Sequence, residues 1–157
     1  MANDSILDGK KVIVVDDELH VLEAIEDHLD MCAIDAASDY DTARQHLKSN
    51  NYDIVVLDIM GVNGHELLAD ARTKNIPAVM LTSNALNPEN FVKSMIGGAC
   101  AYLPKNRLSD VDVFLTDVLE DGCKKSRMLG RWFDRLKNYY ENKFGEGWLD
   151  EYKGSWH

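Results

Sequence analysis

Lys11-Val12-Ile13-Val14-Val15-Asp16-Asp17 (residues 11–17) and Ile54-Val55-Val56-Leu57-Asp58 (residues 54–58) decide how this chain reads. Each is a short apolar run, rich in β-branched residues, that ends on carboxylates, the pattern of a buried strand. As parallel strands of one sheet, the two would bring their C-terminal ends to the same edge. In open α/β sheets that edge is where ligands bind. Three acids crowded there repel one another and raise one another's pKa values. A divalent cation would relieve them, and Mg²⁺ is usually held by one or two carboxylates, waters and phosphate oxygens. The expectation is an acidic Mg²⁺ pocket able to host phosphoryl chemistry.

Working outward, short apolar runs alternate with helical spacing. Glu18–Met31 carries Val21, Leu22, Ile25 and Leu29 at helical intervals, and Ala33–Ala37 reads as a second strand. Ser38 is the expected N-cap of a helix ending near Lys48, with Asp41 three residues on. Asp53–Leu57 is the third strand, Gly64–Lys74 a helix, and Ala78–Leu81 the fourth strand after Pro77. Asn87-Pro88-Glu89 opens a helix with a capping side chain, a proline at the first helical position and an acid near the positive dipole end. That helix should stop at Gly97-Gly98. Cys100–Leu103 is the fifth strand, and Ser109 caps a helix with Val111, Phe114, Leu115, Val118 and Leu119 on its apolar face. Such alternation predicts a parallel, doubly wound α/β sheet covered by helices on both faces.

The chain has 157 residues, 45% of them hydrophobic, which suits one domain with a modest appendage. No apolar stretch approaches the roughly 18 residues of a membrane span, and Met1–Ser5 lacks the features of a secretory signal. Cys32, Cys100 and Cys123 follow no metal-ligand spacing and are expected to be reduced in a cytoplasmic protein. Net charge is −10 but uneven: residues 1–123 hold 9 Lys/Arg and 22 Asp/Glu, whereas residues 124–157 hold 8 and 5. The main body should repel nucleic acid, and only the tail could attract an acidic partner.

Two more residues complete a constellation. Thr82 ends the fourth strand and Lys105 follows the fifth, so three acids, a hydroxyl and an ammonium reach one edge. A phosphoryl group on a carboxylate needs a metal, a hydrogen-bond donor and a compact cation for its remaining oxygens. The segments Val-Val-Asp-Asp-Glu (14–18), Val-Leu-Asp-Ile-Met (56–60), Met-Leu-Thr-Ser (80–83) and Tyr-Leu-Pro-Lys (102–105), in this order, resemble the receiver domain of bacterial two-component response regulators.

The resemblance implies a flavodoxin-like five-stranded sheet of order 2-1-3-4-5, a receiver over residues 9–121 and a helical extension over 122–157. It implies Asp58 as phosphoacceptor, served by a sensor histidine kinase or phosphotransfer protein. Asp17 would bind Mg²⁺ directly, Asp16 mainly through water, Asp58 through its carboxylate, and the Met60 carbonyl would complete the metal shell. Thr82 and Lys105 would hold the phosphoryl oxygens. Tyr102 matches an aromatic switch, and output runs through the surface of the fourth and fifth helices and fifth strand. The expectation is a stand-alone, cytoplasmic signalling switch rather than an enzyme, acting on an unknown downstream protein, with a homodimer possible. The alternatives are a phosphate-independent binding module on the same fold and an aspartyl-phosphate phosphohydrolase. The latter commonly wants an acid two residues after its nucleophile, where this chain has Met60.

Two departures from the family pattern stand out. The loop after Asp58 reaches its glycine at Gly64, two residues early and without proline, and Lys105 is followed by Asn106 rather than proline. A cis bond at Lys105–Asn106 would cost about 2.5–4 kcal/mol, and the sequence leaves cis and trans open. His20, His28, His46, His65 and His157 form no catalytic pair, though His65, seven residues after Asp58, could lie near the pocket.

In the tail, Lys124, Lys125, Arg127, Arg131, Arg135 and Lys137 accompany Leu129, Trp132, Phe133, Leu136, Tyr140 and Phe144 at helical spacing, an amphipathic helix with a basic face. It is too short for the DNA-binding domains many response regulators carry. Packing on the receiver or on a second copy, docking to a partner under control of phosphorylation, and contact with nucleic acid or anionic membrane all remain open.

Overall fold

In the computed structural model, which describes residues 5–59, 62–83, 87–123 and 130–148, five parallel strands form one sheet of order β2-β1-β3-β4-β5. The strands are β1 (Lys11–Val15), β2 (Ala33–Ala37), β3 (Ile54–Asp58), β4 (Ala78–Thr82) and β5 (Ala101–Pro104). The helices are α1 (Leu19–His28), α2 (Tyr40–Ser49), α3 (Gly64–Thr73), α4 (Pro88–Ile96), α5 (Val111–Asp121) and α6 (Arg131–Phe144), with a 3₁₀ segment over Lys105–Asp110. This is the doubly wound sheet expected from the alternation, in the flavodoxin-like order that the resemblance implies. β3, β4 and β5 are buried along their whole length, as continuous apolar runs in a two-sided parallel sheet must be. The edge strand β2 is mostly exposed, which explains its weaker apolar signal.

The pairing register sets the site. Val15 lies opposite Leu57, so Asp16 and Asp58 leave the sheet side by side. Leu81 lies opposite Asp58, placing Thr82 one residue beyond, and Thr82 lies opposite Pro104, so Lys105 is next to emerge.

Three local expectations are corrected. The cap of α2 is Asp39, not Ser38, because its carboxylate accepts from both the backbone N–H (2.7 Å) and the hydroxyl (3.0 Å) of Thr42. Ser109 caps no helix: the 3₁₀ segment runs through it into α5, whose N-cap Asp110 makes no side-chain capping bond. Cys100 and Cys123, expected to be reduced, are joined in a disulfide, while Cys32 is free. The β5–α5 unit folds back on itself, so the end of α5 returns to the start of β5, which a separation of 23 residues does not reveal. Asn87 caps α4 as expected, accepting from the Asn90 N–H (2.7 Å), and α4 ends at Gly97 with Gly98 at φ +103°. No cis peptide occurs among the described residues, so Lys105–Asn106 is trans.

The amphipathic tail helix is α6, and it lies on the receiver. Trp132, Phe133, Leu136 and Tyr140 are buried. Their rings gather around Phe91 of α4, with centroids at 6.2 Å for Trp132, 6.0 Å for Phe133 and 5.4 Å for Tyr140. Trp148, past the end of α6, closes the cluster at 5.0 Å from Phe91 and 4.8 Å from Phe144. The basic side of α6 meets acids of α5: Arg135 donates to Asp117 (2.6 and 3.2 Å) and Arg131 to Glu120 (2.7 Å) and Asp121 (3.2 Å). Lys124, Lys125, Arg127 and Leu129, counted with this helix in the sequence, lie outside the described residues, as does His157. No helix among the described residues is long and apolar enough to cross a membrane.

Candidate functional site

β1, β3, β4 and β5 each deliver polar groups to the same edge. Asp16 is fully buried, Asp58 is 5% exposed and Thr82 is 1% exposed. Asp17, directed outward from the same turn, is exposed. Lys105 places its Nζ 2.8 Å from Asp16 Oδ2, 2.8 Å from Glu18 Oε1 and 3.1 Å from Asp58 Oδ1. One ammonium thus serves three carboxylates, and Asp17 adds a fourth negative charge close by.

Burial is the main cause that pushes Asp58 up to about 6, reinforced by the charges of Asp16 and Asp17 and opposed by Lys105. Asp16 is likewise raised by burial, against its contacts with Lys105 and the Glu18 backbone N–H, which donates to Asp16 Oδ1 (2.8 Å). Burial alone would lower the Lys105 pKa, but its hydrogen bonds to Asp16, Glu18 and Asp58 outweigh that and hold the ammonium charged. Glu18 is lowered by the hydrogen bond from Lys105.

Thr82 adds a different feature. Its buried hydroxyl makes no well-directed hydrogen bond with any described residue. Unpartnered buried polar atoms are rare and costly, and they mark places where a ligand atom belongs. The Tyr102 ring lies fully buried behind Thr82, its hydroxyl beside the Thr82 side chain and the Asn87 backbone N–H. Burial pushes the Tyr102 phenol up to about 12.

The loop after Asp58 turns back sharply. The Ile59 N–H donates to the Leu81 carbonyl (3.2 Å), Asn63 adopts the left-handed conformation (φ 54°), and the Gly64 N–H reaches the Ile59 carbonyl (3.3 Å). A Cβ on Gly64 would overlap the Asp58 carbonyl oxygen, so the early glycine is what lets the shortened loop close. Met60, the expected carbonyl ligand, lies outside the described residues.

The carboxylates fit a divalent cation. Asp16, Asp17 and Glu18 each offer an oxygen within 4.8 Å of the others. The hard oxygen donors and the excess of negative charge over Lys105 suit Mg²⁺. Glu18 was not singled out by the sequence reading. Its signal was present in the Asp-Asp-Glu run, but only the fold shows it turning back onto Lys105. His65 is half-buried and its Nε2 has no partner among the described residues; burial, and to a lesser degree the charge of Lys93, lower its pKa.

Sheet order and the residues gathered at its edge are those of a receiver domain. Residues 12–118 match the response regulator receiver domain family, and the chain belongs to it. Among curated relatives, it is 29% identical over 60% of its length to the regulatory protein VanRB of Enterococcus faecalis. It is 33% identical over 60% of its length to the transcriptional regulatory protein ResD of Bacillus subtilis. The chain spans less than half the length of these relatives, 45% of the first and 41% of the second. Among solved structures, the response regulator DrrB of Thermotoga maritima superimposes with a TM-score of 0.66 at 20% identity, covering 74% of this chain and 55% of that one. A CheY-like receiver domain protein from Methanospirillum hungatei gives 0.61 at 21% identity over 72% of this chain and 98% of that one. A Francisella response regulator receiver domain gives 0.58 at 26% identity over 69% and 97%. The chain is therefore a receiver domain of the two-component response regulators, with the flavodoxin-like fold those structures share.

Proposed function

We infer that this protein is a phosphorylation-activated response regulator that takes a phosphoryl group on Asp58 from a phosphohistidine of a sensor kinase or phosphotransfer protein. It signals by protein contact in the cytoplasm, with residues 9–121 as the receiver unit and 122–157 as its extension. The observation that carries this reading is the pairing of a buried carboxylate, Asp58, with an ammonium at 3.1 Å and the buried Thr82 hydroxyl on the neighbouring strand. In the transfer, an Asp58 carboxylate oxygen attacks phosphorus, the new P–O bond forms, and the P–N bond to the donor imidazole breaks. Lys105 is placed to turn from Asp58 to the phosphoryl oxygens, and Thr82 to donate its hydroxyl proton to another. Asp16, Asp17 and Glu18 would hold Mg²⁺, which when bound neutralises the charge gathered on the transferring oxygens. Glu18 keeps Lys105 aimed at the pocket from the solvent side. The transferred group adds about −1.5 to −2 of charge, enough to bias a two-state surface. The role is that of a switch, catalysing only its own phosphorylation and dephosphorylation.

Incubation with Mg²⁺ and acetyl phosphate, followed by intact mass, tests the reading. Gain of one labile phosphoryl group is expected, absent in Asp58→Asn and blocked by a chelator. A folded protein that gains nothing from acetyl phosphate or from a phosphorylated kinase domain would refute it.

A further inference from the structure

α6 does more than cover an apolar flank. The Tyr140 hydroxyl donates to the backbone carbonyl of Tyr102, and the Tyr140 ring lies 6.1 Å from the Tyr102 ring. Phe91 meets Tyr102 edge-on at 5.1 Å and Tyr140 at 5.4 Å, so the three rings pack against one another. Beyond Lys105, Asn106 Nδ2 donates to the Tyr139 hydroxyl (3.3 Å), and the Arg107 guanidinium sits over the Tyr139 ring at 5.9 Å. One helix therefore grips both flanks of the segment that carries Lys105 and holds the ring that abuts Thr82.

On these contacts, and resting on the phosphoacceptor reading above, we propose that α6 is the chain's own reader of Asp58: its docking on α4, β5 and α5 and the phosphoryl state of Asp58 stabilise each other through Tyr102 and Thr82. With α6 docked, Tyr102 has no room to swing outward, so its hydroxyl stays against Thr82. The Asn87 N–H approaches the Tyr102 oxygen, which leaves the phenol proton free to point at Thr82 Oγ1. Thr82 can then give its own proton to a phosphoryl oxygen on Asp58, one strand position away. Such a chain strengthens each of its links. Undocking α6 frees the ring, breaks the chain and loosens the flanks of Lys105. The sign follows: α6 supports phosphorylation, and by reciprocity phosphorylation tightens α6. This is the opposite of a helix expelled by the signal. Its consequence is that the output surface of the active protein includes the outer face of α6 rather than the aromatic face beneath it.

The test uses the full chain. Amide hydrogen exchange across residues 131–144 is measured with and without Mg²⁺ plus beryllofluoride, a mimic of a phosphoryl group on a carboxylate. Phosphorylation of Asp58 is scored separately by intact mass after acetyl phosphate. Exchange in α6 should slow by about fivefold or more on addition, a typical allosteric coupling, and the slowing should vanish in Asp58→Asn. Tyr140→Phe keeps the ring but removes the donor to Tyr102, and should raise half-saturation by beryllofluoride, followed by fluorine NMR, by a similar factor. Asn106→Ala, which leaves the aromatic cluster untouched, should shift it in the same direction by less. Unchanged or faster exchange in α6, in protein whose mass shows a phosphoryl group, overturns the coupling and leaves the phosphoacceptor reading standing. No phosphorylation at all overturns both.

Discussion

At the C-terminal edge of the sheet, three carboxylates share one ammonium with Asp17 close by, and the Thr82 hydroxyl is buried among them. On the flank formed by α4, β5, α5 and α6, rings fill the space around Phe91, and the acids of α5 that α6 covers are met by arginines. The two regions share β5: Lys105 belongs to the first, Tyr102 to the second. The edge gathers more carboxylates than its one ammonium can neutralise, and burial adds to that cost. The flank is dominated by ring packing and by paired charges, so its first contribution is to stability and shape. Sites that keep unresolved charge commonly trade stability for function.

The sharpest way to break this contrast is Trp132→Ala. Trp132 is 2% exposed within the cluster, and its loss should lower unfolding free energy by about 3–5 kcal/mol, read from urea denaturation. A loss below about 1 kcal/mol would mean that α6 is not docked in solution. Next comes reduction of Cys100–Cys123. A cross-link closing a loop of this length contributes about 3 kcal/mol in the chain-entropy view, so a thiol reductant should lower the melting temperature, and Cys123→Ser should remove that sensitivity. At the edge the sign reverses. Asp58→Asn in Mg²⁺-free buffer removes a buried, repelled charge and should raise stability by about 1–2 kcal/mol while abolishing phosphorylation. A destabilised Asp58→Asn would show that the edge is not electrostatically strained. The smallest effect is expected from Arg135→Ala. Asp117 is buried, but Arg131 remains at 3.7 Å, so the cost should be about 1 kcal/mol, well short of a fully abandoned buried charge.

Much of the edge was legible in the chain because each strand there is a short apolar run that ends on its functional residue. Asp16, Asp17, Asp58, Thr82 and Lys105 could be named from position alone, since parallel strands put equivalent ends together. Glu18 was less legible, because it lies past the strand end and its role depends on how Lys105 reaches back across the edge. The flank was only half legible. The 3.6-residue spacing of Trp132, Phe133, Leu136 and Tyr140 announced an apolar face, yet no pattern along the chain said what would cover it. Asn106 is instructive here: by itself it is a departure from the family pattern, and in the fold its side chain is a ligand of α6.

The sequence by itself determined the alternation of strands and helices and which polar residues end the strands, because hydrophobic periodicity and strand-end position are local properties; the strand order came through the motifs' resemblance to a family. Only the tertiary structure decided that Cys100 meets Cys123, that Glu18 shares Lys105, and that the Tyr140 hydroxyl closes on the Tyr102 carbonyl. Those pairings join residues 23, 87 and 38 positions apart. Contacts at such separations are set by how helices return across the sheet, which no local pattern encodes.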